Sequence, residues 1–163
     1  MYTRLKDLTP EAIEAFLKLK DEVKFTTATG SRVRVGKNKQ HALSIYDYSK
    51  WFNWTHGQRE LVREHLGETL TRKARQLHFL NLPAKTGFLD IMDAWVGKGA
   101  SCGKMAAYCL GESQTIYIDN RAVKLSRGEG IYFCLANLHH INASKDGQLW
   151  LCTMTRQPLS ELI

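Results

Sequence analysis

The apolar positions of this chain follow two rhythms, one in each half. In the first half they recur every three or four residues. Ile13, Phe16 and Leu17 mark one face of a segment that opens on Thr9, Pro10 and Glu11 and runs to about Val23. A threonine hydroxyl caps free amides, and proline suits a first turn that has no use for its N–H. The spacing predicts a helix over 9–23. A second helix is expected over 56–76. There Thr55 and Gln58 make a capping box, and Val62, Leu66, Leu70 and Ala74 recur every fourth position. Arg72, Lys73 and Arg75 fall where cations complement the helix dipole.

Between these helices Val33 and Val35 alternate with Arg32 and Arg34, and Gly30 and Gly36 punctuate the ends, as in a half-exposed strand and turn. Tyr46, Tyr48, Trp51, Phe52 and Trp54 then crowd into nine positions. Such rings either wedge a helix against a sheet or stack on bases. Beyond residue 77 the helical rhythm stops. "LHFLNL", "GFLDIMDAWVG", "MAAYCLG", "QTIYID", "RAVKLS", "GIYFCLANLHHI" and "QLWLCTMT" are short apolar or alternating runs divided by turn-forming residues. Runs of this kind imply an all-β sandwich or barrel.

Composition narrows the class. A chain of 163 residues, 44% hydrophobic and 24% charged, is a folded protein with room for one ordinary domain. No apolar run approaches the roughly 20 residues that cross a bilayer. The first residues lack the apolar core of a secretion signal, so a cytoplasmic protein without a membrane partner is expected. Cys102, Cys109, Cys134 and Cys152 form no Cys-x-x-Cys pair and read as reduced core thiols. Cys102, between Lys98 and Lys104, is also a candidate nucleophile.

The formal charge of +7 is uneven: residues 1–80 hold fifteen Lys and Arg against nine Asp and Glu, the remainder eight against seven. That excess favours anionic partners. Arg32, Arg34, Lys37 and Lys39, with Trp51 and Trp54 nearby, are the candidate nucleic-acid-binding residues, contacting phosphates and stacking on bases.

The stretch from Asp93 to Thr155 resembles the double-stranded β-helix of cupins and, more distantly, of the iron and 2-oxoglutarate dependent oxygenases. "AYCLGE" resembles the strand and turn after the first cupin motif. "IYIDNRAVKLSRGEGIYF" resembles the hairpin and Gly-rich turn before the second, with Asp119-Asn120 as a tight turn. "LHHIN" stands where that family places its last metal-binding histidine. The resemblance implies a mainly β (α+β) fold: a cupin-like jelly-roll barrel over 77–157, with the helical and basic part, 1–76, packed on it as one domain over 1–163. It also implies a small-molecule ligand in the barrel mouth.

A mononuclear site of this family needs imidazoles and a carboxylate on one face. The first pair usually arrives as His-x-His or His-x-Asp, because alternate strand residues point the same way. Here "GASCGKM" occupies that place, and neither motif occurs anywhere in the chain. The substitute set is His78, Asp93 and one of His139 and His140, since neighbours on a regular strand face opposite ways. It would hold a divalent ion such as Fe, Mn, Ni or Zn. Where oxygenases carry a basic residue for the cosubstrate's carboxylate, this chain has Gln148 to Trp150, and Arg156 is the nearest arginine. Arg156, Tyr108 and Trp95 are the candidate ligand-binding residues; no catalytic residue is assigned. The function classes left open are a metal-dependent enzyme of oxygenase or isomerase type, a non-catalytic module binding nucleic acid, and a protein-interaction or homodimer domain.

Overall fold

The structure, a computed structural model, describes residues 2–29, 33–35, 40–42, 45–67, 74–84, 88–90, 104–134, 139–141 and 144–155. The first helix, α1 (Pro10–Glu22), starts as expected: the Thr9 hydroxyl accepts from the Ala12 N–H. The second, α2 (His56–Leu66), has the full capping box of Thr55 and Gln58. It stops at Gly67, ten residues short of the expected end. Gly67 caps it with φ +82°, a conformation that glycine adopts freely. Ala74, the last member of the fourfold pattern, opens a strand instead.

Among the described residues, thirteen strands precede and follow these helices. Those of the N-terminal part are β1 (Tyr2–Arg4), β2 (Thr26–Thr29), β3 (Val33–Val35), β4 (Gln40–Ala42) and β5 (Ile45–Lys50). Next come β6 (Ala74–Leu82), β7 (Phe88–Asp90), β8 (Lys104–Cys109) and β9 (Ser113–Ile118). The rest are β10 (Arg121–Ser126), β11 (Gly130–Cys134), β12 (His139–Ile141) and β13 (Gln148–Thr155). A large sheet has the order β1-β11-β8-β13-β6-β5-β2, and a small one β10-β9-β12-β7. Pairing within both is antiparallel. Strands β3 and β4 pair with each other in a separate hairpin.

Strict alternation sorts the large sheet into two faces. Its inner face carries Leu80, Leu82, Met105, Cys109, Ile131, Phe133, Trp150, Cys152 and Met154, which bury against Ile116, Ile118, Val123, Leu125 and Ile141 of the small sheet. This is the core of a jelly roll, as the resemblance implied. The outer face carries Leu77, Phe79, Ala106, Tyr108, Tyr132 and Leu151, and onto it pack Phe16 and Leu19 of α1 and Val62 of α2. The two helices meet edge to face through Phe16 and His65, whose ring centroids are 5.7 Å apart. The N-terminal part is therefore more than a cover. Strand β1 extends the large sheet at one edge and β5 and β2 at the other; residue patterning had assigned the β2 and β5 segments to a basic strand and turn and an aromatic cluster.

Two turns hold the roll closed at its ends. Asp119 and Asn120, with φ of 51° and 64°, make the two-residue hairpin between β9 and β10, the conformation that short Asp and Asn side chains tolerate. Gly128, at φ +92°, lets the chain double back. Its N–H donates to the Cys109 carbonyl and its own carbonyl accepts from Leu8, both at 2.8 Å.

Candidate functional site

The strand directions bring one end of the roll together from both sheets. The last residue of β5, the first half of β6, the start of β8 and the end of β13 lie there on the large sheet; the end of β9, the start of β12 and the end of β7 lie there on the small one. In the small sheet His139 is the register partner of Ile118 on one side and Asp90 on the other. His140 is the partner of Tyr117 and Leu89. Because Ile118 and Ile141 belong to the inner core, the pleat assigns position 139, with 90, to the inner face and position 140 to the outer one. The same register supplies a carboxylate position, Asp90, that the sequence reading had passed over for Asp93. The clue was in the chain: Asp90 lies at the odd end of "FLD", but strand partners cannot be read from one strand.

His78 faces the same end from the large sheet. It pairs with Cys152 on one side and Lys50 on the other, among the inner-face positions. Its Nδ1 is buried and has no hydrogen-bond partner among the described residues. Burial first, and the charge of Lys50 second, lower its pKa from 6.5 to about 4, so the ring is neutral at physiological pH. The Lys50 ammonium lies 5.3 Å from the centre of the Tyr48 ring and 6.0 Å from that of Phe52. Phe52, at 62% exposed, is open to solvent at the rim.

Other expected site residues are placed elsewhere. Tyr108 is not in the mouth: alternation on β8 turns it to the outer face, where it is buried under the helical layer and its pKa is pushed up to about 12 by burial. Trp54 is not a surface platform for bases. It is 4% exposed, its Nε1–H donates to the Ser49 hydroxyl at 2.8 Å, and its ring packs on Phe79 with centroids 5.4 Å apart. Trp51 is half-buried against the same cluster, and its carbonyl accepts from the Arg59 Nε at 2.9 Å. These aromatics do what the packing alternative required of them. On β13, Gln148 and Trp150 are buried, with the Trp150 Nε1–H donating to the Gln148 Oε1 at 3.3 Å.

Asp93, Trp95, Arg156, Arg32, Lys37, Lys39 and Cys102 lie outside the described residues. Arg34 is on β3, opposite His41. Cys109 and Cys152 are free and buried, and burial pushes their thiols up to about 11 and about 12, so both are poor nucleophiles. Cys134 is disulfide-bonded, against the expectation of reduced thiols throughout.

No family model and no curated protein matches this chain. Solved structures do. An oxidoreductase of the 2OG-Fe(II) oxygenase family from Burkholderia pseudomallei aligns over 96% of this chain and 85% of its own, with a TM-score of 0.61 and 11% identity. The non-heme alpha ketoglutarate dependent carbocyclase SnoK of nogalamycin biosynthesis aligns over 94% and 78%, with a TM-score of 0.64 and 14% identity. AviO1 from Streptomyces viridochromogenes aligns over 97% and 90%, with a TM-score of 0.63 and 10% identity. Identities this low speak for backbone architecture and not for shared chemistry. Together with the sheet order, they show that the chain has the fold of a cupin-like double-stranded β-helix.

Proposed function

We propose that the chain binds a small molecule in the barrel mouth beside one divalent cation, as a metal-dependent domain of oxygenase or isomerase type. The observation that carries this reading is the cross-strand register of His139 with Asp90, positions on the inner face of the small sheet. An imidazole and a carboxylate on adjacent strands make a donor pair suited to Fe, Mn, Ni or Zn. They replace, across two strands, the pair that related folds take from alternate residues of one. His139 and Asp90 would hold the ion. When bound, it would supply a Lewis-acid or redox centre.

His78 is better suited to the bound molecule than to the metal. The ammonium of Lys50 beside it opposes a second cation at the same ring. The apolar inner core below the mouth keeps water from the deeper end of the site. Among the solved structures of similar fold, one is described as a carbocyclase and another as an epimerase, both consistent with a small-molecule role.

Elemental analysis of protein purified without chelator tests the metal. Near-stoichiometric iron, manganese, nickel or zinc is expected. His139→Ala and Asp90→Asn each remove it, whereas His140→Ala retains it. A metal-free preparation, or loss on His140→Ala and not on His139→Ala, defeats the reading.

A second reading has one observation in its favour. The basic segment holding Arg34 forms a hairpin, β3 with β4, that pairs with no other strand among the described residues. A basic arm outside the sheets suits a phosphate backbone. It predicts nucleic-acid binding whose affinity falls as salt rises and weakens on Arg34→Ala. Binding insensitive to salt, or none at low salt, removes it. Light scattering decides whether the chain is a homodimer.

A further inference from the structure

A cavity of about 370 Å³ opens between β9 and residues 144–147, the turn that leads into β13. Ser113, Thr115 and Tyr117 line it. They alternate along β9 with Gln114, Ile116 and Ile118, which are buried, so the cavity lies on the face of the small sheet turned away from the core of the roll. Two buried amides complete its wall and have their bonds inside the protein: Gln114 spends both ends on the Leu149 backbone, and the Gln148 Oε1 accepts from the Trp150 Nε1–H. The Ser144 hydroxyl donates to the Asp146 carbonyl and holds the turn in shape. The hydroxyls of Ser113 and Thr115, by contrast, carry no hydrogen bond to another described residue.

We infer that this cavity is a binding site for a neutral polyhydroxylated molecule, in chemical class a sugar. Hydroxyls at alternate positions of one strand, 113 and 115, present groups that both donate and accept, as the hydroxyls of a sugar do. The Tyr117 ring adds apolar surface for the C–H side of such a molecule. Lys145 and Asp146 also line the cavity; they are exposed and opposite in sign. Together they select neither an anion nor a cation, and charges in contact with water contribute little to holding one. The volume falls within the range of about 300–1,000 Å³ usual for small-molecule sites. This site is separate from the metal pair: positions 139 and 90 share the inner face of the small sheet, whereas Tyr117 and its register partner His140 are on the outer one. Each reading can fail without the other.

The experiment is an NMR titration of the full chain with glucose, galactose, N-acetylglucosamine and maltose, and with inorganic phosphate and glycine as charged probes, before and after chelation. At least one sugar is expected to bind saturably, to move the Thr115 methyl and Tyr117 ring signals, and to do so equally well after chelation. Thr115→Val, which keeps the shape and removes the hydroxyl, should weaken that binding by about fivefold or more. Thr115→Arg, which fills the cavity, should abolish it. Four results overturn the site: no sugar that moves these signals, phosphate or glycine bound there more tightly than every sugar, a Thr115→Val chain that binds as well as the parent, or sugar binding lost on chelation. The signals are read on the unmutated chain, so misfolding of a variant does not obscure them. A protein that binds a sugar this way but carries no metal would defeat the metal reading alone.

Discussion

His78 shows how much one buried side chain changes when its neighbours are known. Its imidazolium is disfavoured by burial and by Lys50, which holds its pKa at about 4 against 6.5 in the unfolded chain. Between those values the unfolded chain takes up a proton that the folded chain refuses. The associated stability is fully present above about pH 6.5 and is lost as the pH falls through about 4. Denaturant midpoints measured from pH 7 down to 4 should show the parent losing on the order of 3 kcal/mol more than His78→Phe. Equal pH profiles for the two would mean that the ring is solvated. Trp54 belongs to the same scale. Trp54→Phe leaves the Ser49 hydroxyl, 2% exposed, without its donor, so a loss of about 1–2 kcal/mol in chemical denaturation is expected. No change would place the indole N–H in water.

Elements are held to one another by a few polar bonds that alternation does not reveal. Gln114, the second residue of β9, bridges to β13: its Nε2 donates to the Leu149 carbonyl at 2.9 Å, and its Oε1 accepts from the Leu149 N–H at 2.7 Å. The Leu149 carbonyl also accepts from Leu110, so removing the side chain orphans only the Leu149 N–H. Gln114→Ala should therefore cost about 1–3 kcal/mol by urea denaturation, in a buried position where an alanine could otherwise be neutral. Gly128 joins the N-terminal segment to the roll. A Cβ there would meet the Ile13 Cδ1 at 2.7 Å and would sit on a backbone of φ +92°. Gly128→Ala should destabilise the fold by more than 1 kcal/mol, with increased amide exchange at Leu8, whose N–H bonds to this residue. Both positions look like ordinary turn or surface polar residues in the sequence, because their partners are 35 residues away for Gln114 and in the N-terminal segment for Gly128.

At the scale of the molecule, the large sheet is a wall between two cores: one inside the roll, one beneath the helices. Phe16, fully buried on the helical side, should be costly to truncate. Phe16→Ala is expected to lose about 3–5 kcal/mol, and any metal carried by the folded fraction should be unchanged, because the proposed site lies on the other face of the large sheet. A variant that stays folded but sheds metal would couple the two layers.

The sequence by itself determined the helix starts, the Asp119-Asn120 hairpin and the mainly β character of residues beyond 77, since capping, turn chemistry and alternation are local properties of the chain. It also placed His78 and "LHHIN" among the residues worth testing. Tertiary structure alone decided where α2 ends, that the aromatic cluster near Trp54 is core, that Tyr108 faces the helices, and that 139 and 90 share an inner rung. Those outcomes depend on which strands become neighbours and in what register. Register is fixed by long-range pairing between segments, and no periodicity within one segment records it.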